Sequence, residues 1–130
     1  MRIVAAGDFA KQYFHGTVTP NLEEITPGVS HGRRPTFPHD TDPNYAYATG
    51  DERWARHYAE MAHAAGDAGT IPRVYQVEPK DPSDVEEDPF YDSHGRSRSI
   101  FDTDVRSKSG WNVVKEMPWP EEWGDPEDWR

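Results

Sequence analysis

Residues 45–66 read YAYATGDERWARHYAEMAHAAG and contain a strand pattern followed by a helix pattern. Residues 45–49 alternate in size, which favours a strand. Thr49 and Glu52 have the spacing of a capping box, in which the two side chains satisfy the first amide groups of a helix. The apolar positions that follow recur at helical spacing and predict one buried face, and Gly66 predicts the helix end. The residues of that predicted face are Trp54, Tyr58, Met61, Ala62 and Ala65.

Outward from this stretch, further segments predict strands. Residues 13–17 (YFHGT) are an aromatic run that reaches a glycine, and residues 73–78 (RVYQVE) alternate between two prolines. Residues 111–116 (WNVVKE) predict another strand, and residues 98–101 a short one. One helix and several short strands separated by loops predict an α+β fold.

The remaining segments predict loop. Prolines and glycines recur through residues 18–44, which excludes a long helix or a central strand there. Residues 80–95 are acidic and rich in turn-forming residues. We divide the chain into a domain at 1–117 and an acidic tail at 118–130, rich in proline and tryptophan, whose indoles either pack on the domain or are left for a partner.

The charge and composition exclude several classes of function. The chain has 130 residues, which suits one domain, and a formal net charge of −10. This charge repels phosphate backbones and anionic membrane surfaces, so it weighs against nucleic-acid and membrane partners. Cysteine is absent, which excludes disulfides and thiolate chemistry. We expect no metal, because the histidines lack ligand spacing, and we expect a cytoplasmic location, because no apolar run or signal-peptide pattern is found.

Several short motifs occur in an order that resembles the rifampin ADP-ribosyltransferase family. They start with His15-Gly16-Thr17 after an aromatic strand and continue with Leu22, then Thr26-Pro27-Gly28. The later motifs follow in the family's order. They are the strand and helix of residues 45–66, Val74 to Pro79, Glu86-Glu87-Asp88-Pro89, Arg96 to Ser99 and Trp111. The match covers roughly residues 10–117. The loop at 29–44 and the tail depart from the pattern.

The resemblance implies a fold of two small, mostly antiparallel sheets with one main helix and an NAD cleft between the sheets. It implies an enzyme that cleaves the nicotinamide–ribose bond of NAD, its co-substrate, and transfers ADP-ribose to a hydroxyl of a small molecule. A rifamycin antibiotic is the leading acceptor, which would make the protein an antibiotic-resistance factor.

The resemblance also implies the roles of individual residues. His15, Tyr47 and Asp88 are the expected catalytic residues, with His15 on a ribose hydroxyl, Tyr47 on the nicotinamide ring and Asp88 near the ribose. The expected NAD-binding residues are His15, Gly16, Thr17, Tyr47, Tyr58 and Arg98. The chemistry suits them, because the bond breaks through an oxocarbenium-like state whose leaving group is already cationic. The protein therefore needs to hold the dinucleotide and stabilise a developing cation.

Each assignment has a structural alternative. His15 and Tyr47 also fit ordinary strand packing, and Tyr58 shares a predicted face with core residues. The arginines at 96, 98 and 106 are either surface charges or a basic spot for one small anion. The essential carboxylate among Asp84, Glu86, Glu87 and Asp88 stays open.

The function has alternatives as well. One keeps the transferase chemistry with a protein or nucleic acid as acceptor, as in toxin-like or phage-encoded relatives. Another is a binding module without enzymatic activity that docks a partner through the tryptophans of the tail.

Overall fold

The computed structural model describes residues 12–28, 44–65, 69–87 and 104–129. These residues form an α+β arrangement with one main helix, α1 (Glu52–Ala65), as the sequence predicts. The strands in chain order are β1 (Tyr13–Thr17), β2 (Glu24–Ile25), β3 (Ala46–Thr49), β4 (Arg73–Pro79), β5 (Glu86–Glu87), β6 (Asp104–Ser107) and β7 (Trp111–Glu116). Short 3-10 turns cover Pro82–Asp84, Glu121–Trp123 and Pro126–Trp129.

The strands form one antiparallel sheet in the order β2-β7-β4-β1-β3-β6-β5. β1 lies in the middle and pairs with β4 over all five of its residues. On its other side, β1 is joined to β3 by a single residue pair, Phe14 with Thr49. The family resemblance implies two sheets. Among the described residues there is instead one sheet, in which the strands β2-β7-β4-β1 and the strands β3-β6-β5 are joined. The pairing between these two groups is limited to Phe14 and Thr49.

The two faces of the sheet carry separate hydrophobic clusters. On the helix face, Phe14 and Val74 pack against Ala55 and Ala59 of α1 and against Trp123. The opposite face carries Ile25, Ala46, Ala48, Tyr75, Val77, Val105 and Trp111. Because side chains alternate along a strand, each sheet position belongs to the helix face or to the opposite face.

The buried side of α1 differs from the sequence prediction. Ala55 and Ala59 are 0% exposed, whereas Met61, which was expected in the core, is 41% exposed. Gly16 supplies the reason, because a Cβ atom at that position would lie 1.9 Å from the main-chain oxygen of Ala55. The helix backbone therefore lies directly on β1, where only alanines fit, and the larger aromatic residues of the predicted face are half-buried.

The helix cap also differs from the prediction. Asp51 caps α1, because its Oδ1 accepts a hydrogen bond from the Arg53 amide at 2.8 Å and its main-chain oxygen accepts one from the Ala55 amide. Thr49, which the capping box assigned to this position, is 1% exposed and pairs with Asp104 in the sheet. Thr49 is therefore the last residue of β3.

The strand predictions for β1, β3, β4 and β7 are confirmed, and β2, β5 and β6 were missed. β2 and β5 are two residues long and lie at the edges of the sheet. Such elements are defined by their pairing partners and leave little pattern in the sequence. The strand expected at 98–101, the helix stop at Gly66 and most of the loop at 29–44 lie outside the described residues.

The tail packs on α1, one of the two possibilities that the sequence leaves open. Trp123 is 8% exposed, and its indole donates a hydrogen bond to Oε1 of Glu60 at 2.6 Å. Trp119 and Trp129 surround it with ring centroids 5.2 and 6.3 Å away. The ring of His63, near the end of α1, meets Trp129 edge-on at 4.8 Å.

Candidate active site

The narrow junction between β1 and β3 brings His15 and Tyr47 together. Nδ1 of His15 lies 2.9 Å from the main-chain oxygen of Tyr47, although 32 residues separate them in sequence. The indole of Trp111, which is 0% exposed, donates a hydrogen bond to the preceding carbonyl, that of Ala46, at 2.9 Å. Two side chains thus bind consecutive carbonyls of β3, where the β1–β3 pairing is limited to one residue pair.

The contact to Tyr47 selects the tautomer of the neutral His15 ring. A carbonyl oxygen only accepts hydrogen bonds, so Nδ1 must carry the proton. In the neutral imidazole Nε2 is then the acceptor nitrogen, and the ring is oriented by its contact with the backbone. An imidazole held in this way can accept a hydrogen bond from a hydroxyl such as that of a ribose.

The side chain of Tyr47 belongs to a cluster around Arg106. The two residues are paired across β3 and β6, and the Tyr47 hydroxyl oxygen accepts a hydrogen bond from the Arg106 guanidinium. Nε of Arg106 donates to Oε1 of Glu86 at 2.7 Å, and the guanidinium carbon lies 3.8 Å from the ring centroid of Tyr45. Lys108 approaches the same ring at 5.5 Å. Arg106 therefore links one acidic and two aromatic residues from two other segments of the chain.

The environment keeps Arg106 charged. Burial opposes the charged form, but the hydrogen bonds with Glu86 and Tyr47 outweigh it, so the pKa of the guanidinium is raised. The side chain is 17% exposed. A partly desolvated, permanently charged arginine beside a tyrosine hydroxyl is suited to orienting that tyrosine or an anionic ligand.

Tyr58 is tied to the sheet through Asp104. Its hydroxyl donates a hydrogen bond to Oδ2 of Asp104, which is 6% exposed and pairs with Thr49. Burial raises the pKa of the Asp104 carboxyl, while the hydroxyls of Tyr58 and Thr49 favour its ionised form and the charge of Asp51 opposes it. The predicted second aromatic wall is thus anchored on the helix face.

The structure separates the carboxylates that the sequence could not rank. Asp84 accepts hydrogen bonds from the hydroxyls of Ser107 and Ser109 and from the Ser109 amide, so it fastens the 3-10 turn to the β6–β7 connection. Glu86 is engaged with Arg106, as described above. Glu87 is exposed on β5. Asp88, the expected catalytic carboxylate, follows β5 directly in the sequence but lies outside the described residues.

The other predicted ligand-binding positions lie as follows. Gly16 belongs to the helix face, where its missing side chain makes room for α1. Thr17 is buried, and its hydroxyl accepts a hydrogen bond from the Thr19 amide at 3.2 Å, which stabilises the turn after β1. Both therefore have structural reasons for their identity. Arg98 lies outside the described residues.

Two residues with prominent contacts at this site were missed or undervalued by sequence reasoning. Arg106 was grouped with other arginines as a basic spot or a surface charge, and Asp104 was not considered at all. The sequence signal for both residues was the alternation along residues 104–107 (DVRS). In a strand this alternation places Asp104 and Arg106 on one face and Val105, which is buried, on the other. The segment is short and polar, so this signal is weak.

No helix among the described residues is long and apolar enough to cross a membrane. In the same part of the chain, no group of three or more histidine, aspartate or glutamate side chains is arranged to hold a metal ion.

No protein-family model matches the chain, and no curated protein shows significant similarity to it.

Proposed function

We propose that this protein is an NAD-dependent mono-ADP-ribosyltransferase that acts in the cytoplasm. The observation that carries the proposal is the 2.9 Å contact between Nδ1 of His15 and the carbonyl of Tyr47. The imidazole of His15, the proposed ribose-binding group, meets the main chain of Tyr47, the proposed nicotinamide-binding residue, at one junction in the sheet. The contact also leaves the imidazole in the tautomer that accepts a hydrogen bond at Nε2, which is what a ribose hydroxyl requires.

The surrounding residues suit the proposed bond cleavage. Breaking the nicotinamide–ribose bond builds positive charge on the ribose, so a nearby carboxylate lowers the energy of the transition state. Asp88 is the proposed carboxylate, since it comes directly after β5, which pairs with β6 beside Arg106 and Tyr47. The bond between the Tyr47 hydroxyl and Arg106 holds the tyrosine in place, which favours a defined stacking position for the nicotinamide ring.

The proposed acceptor is a hydroxyl of a small molecule, with a rifamycin as the leading candidate. The charge of −10 favours a basic protein over a nucleic acid as the alternative acceptor. An acceptor of either kind would receive the ribose carbon that nicotinamide leaves, and its hydroxyl proton would pass to a base such as Asp88.

The test is nicotinamide release from NAD by the purified protein, measured with and without rifampin. The set of proteins includes His15→Ala, Asp88→Ala and, as the matched carboxylate control, Glu87→Ala. Release that depends on rifampin and is lost in the first two variants supports the reaction and the acceptor. Release that ignores rifampin but needs His15 supports the reaction and rejects the acceptor. Absence of both release and NAD binding rejects the proposal.

A further inference from the structure

Asp104 lies in a row of three residues that crosses the junction of the sheet. Phe14 of β1 pairs with Thr49 of β3, and Thr49 pairs with Asp104 of β6. Phe14 belongs to the cluster under α1, so the whole row lies on the helix face. The Asp104 carboxylate therefore faces α1 beside the one residue pair that joins β1 to β3.

The carboxylate is buried and only partly hydrogen-bonded. Its Oδ2 accepts from the Tyr58 hydroxyl, and the Thr49 hydroxyl also lies close enough to favour its ionised form. Oδ1 is shielded from solvent and receives no hydrogen bond of good geometry within the described part of the chain. A buried carboxylate in this state costs free energy that an apolar residue would avoid. Such groups are often found where a site needs them.

The anchored tyrosine stands beside the proposed nicotinamide position. Tyr47 lies two residues before Thr49 on β3, so its side chain emerges on the helix face one row away from Asp104. Two residues along a strand span about 7 Å. The phenol of Tyr58, bound at Asp104, is therefore next to the row of Tyr47 and Arg106 on the same face.

We propose that Asp104 is a positioning residue, whose carboxylate holds the Tyr58 phenol beside Tyr47 so that the two tyrosines together bind the nicotinamide end of NAD. This inference rests on the proposed function and adds the group that fixes the second ring. The ring of Tyr58 is held at two points, by its place on α1 and by the bond from its hydroxyl to a strand. An aromatic wall fixed in this way loses little freedom when a ligand stacks on it.

The experiment measures NAD binding by calorimetry and the KM and kcat of nicotinamide release. The proteins compared are wild type, Tyr58→Phe, Asp104→Ala, Asp104→Asn and the Tyr58→Phe/Asp104→Ala double variant. Tyr58→Phe and Asp104→Ala should each weaken NAD binding and raise KM by about tenfold with a smaller change in kcat. The double variant should be no worse than the weaker single variant, because both changes remove the same bond. Asp104→Asn should restore most of the affinity, since its amide oxygen still accepts from the phenol.

Tyr75→Phe is the matched control. Tyr75 is 2% exposed and lies on the opposite face of the sheet, and its hydroxyl donates a hydrogen bond to the main-chain oxygen of Thr19 at 2.7 Å. The substitution removes only this hydroxyl. It should lower the melting temperature and leave the Kd of NAD unchanged.

The outcomes separate this inference from the proposed function. If wild type binds NAD and both Tyr58→Phe and Asp104→Ala bind it within twofold of wild type, Asp104 is a structural residue and the inference is wrong. If wild type does not bind NAD, the proposed function fails and the inference with it. Should Asp104→Ala not fold, the affinity of Tyr58→Phe decides, because its side chain keeps the packing and loses only the bond.

Discussion

The imidazole of His15 is bonded to the backbone of Tyr47, not to its ring. The Nδ1–carbonyl distance is 2.9 Å, and the register places the Tyr47 side chain opposite Arg106 on the helix face. His15 is paired with Tyr75, which belongs to the cluster on the opposite face. The two proposed NAD-binding residues therefore approach the junction from different faces of the sheet, and the strand of Tyr47 is the shared element.

The two ring nitrogens of His15 can be tested separately. In His15→Asn, the amide nitrogen can replace Nδ1 and keep the bond to the Tyr47 carbonyl, whereas the acceptor Nε2 is lost. We expect this variant to keep the wild-type melting temperature within about 2 °C, since its loss of stability is below about 0.5 kcal/mol. It should lose at least about tenfold in nicotinamide release, because the ribose hydroxyl has no acceptor.

His63→Asn is the matched control for this experiment, since His63 lies near the end of α1 against Trp129. Its activity should equal that of wild type. Full activity in His15→Asn would instead show that only the bond to Tyr47 matters, and the ribose contact would have to be abandoned.

Arg106→Ala should damage both stability and activity. It removes the ion pair with Glu86, the stacking on Tyr45 and the bond to the Tyr47 hydroxyl. Because the side chain is largely shielded, we expect a loss of about 1–3 kcal/mol in the free energy of unfolding, measured by urea denaturation. The kcat/KM of nicotinamide release should fall by a larger factor than the fraction of folded protein does, because Tyr47 loses the partner of its hydroxyl.

Arg53→Ala supplies the comparison for Arg106, because its side chain is 86% exposed while it also pairs with an aspartate, Asp51. Exposed pairs contribute little, so the free energy of unfolding should change far less in Arg53→Ala than in Arg106→Ala. Equal losses in the two variants would contradict the special position of Arg106.

Gly16→Ala should prevent the close contact of α1 with the sheet. The added Cβ atom would lie 1.9 Å from the main-chain oxygen of Ala55 and 2.8 Å from the Ala59 amide nitrogen, both of them backbone atoms that cannot move alone. We expect a loss of at least about 3 kcal/mol, at the upper end of overpacking effects. Gly69→Ala has open space but a φ of +98°, so it should cost about 1–2 kcal/mol by backbone strain alone. Thermal melts of the two variants measure the difference. If both variants lose the same stability, α1 can move away from β1 at little cost, and the close contact at Gly16 does not matter for the fold.

The elements that could be predicted from the sequence are those whose apolar pattern lies within a single strand or helix. The strand at Trp111–Glu116 and the strand–helix unit around β3 and α1 were predicted because each buries its own residues with a recognisable period. The buried side of α1 was predicted wrongly because it depends on Gly16, which precedes the helix by 36 positions. Apolar periodicity favours large residues, whereas a helix backbone lying on a strand requires small ones.

The site was predictable only in part for a related physical reason. His15 and Tyr47 were selected from motifs, but their contact arises from the register of a central strand and from Trp111, which is far away in the sequence. Arg106 and Asp104 acquire their surroundings from pairing with β3 and β5. No local pattern encodes such long-range pairings.

Asp84 should make stability depend on pH in the acidic range. Its hydrogen bonds with Ser107 and Ser109 lower the pKa of the carboxyl below its ordinary value of 3.8. A lowered pKa means that the stabilisation is present above the ordinary value and is lost as the pH falls through the folded-state value. Asp84→Asn should therefore cost about 1–2 kcal/mol at neutral pH, with allowance for partial exposure, and this difference should shrink below about pH 4.

Urea denaturation of wild type and Asp84→Asn at several pH values measures this difference. Glu87→Gln is the control in the same acidic segment, because the Glu87 side chain is exposed and makes no hydrogen bond or ion pair in the described part of the chain. Its curve should overlay that of wild type. A constant difference between Asp84→Asn and wild type down to pH 3 would contradict the electrostatic origin of the effect.

Trp123→Ala tests whether the tail belongs to the fold or serves a partner. Trp123 is 8% exposed, packs with Phe14 and Ala55 under the sheet, and donates to Glu60. Its removal should cost about 3–5 kcal/mol, the usual loss for a buried tryptophan, whereas the half-buried Trp119 should cost less when changed to alanine. Thermal melts of both variants, followed by NAD binding at a temperature where each remains folded, separate stability from function. Binding that survives in folded Trp123→Ala agrees with a structural tail. A variant with the wild-type melting temperature would instead revive the reading in which these tryptophans bind a partner, because their packing on α1 would then contribute nothing to the fold.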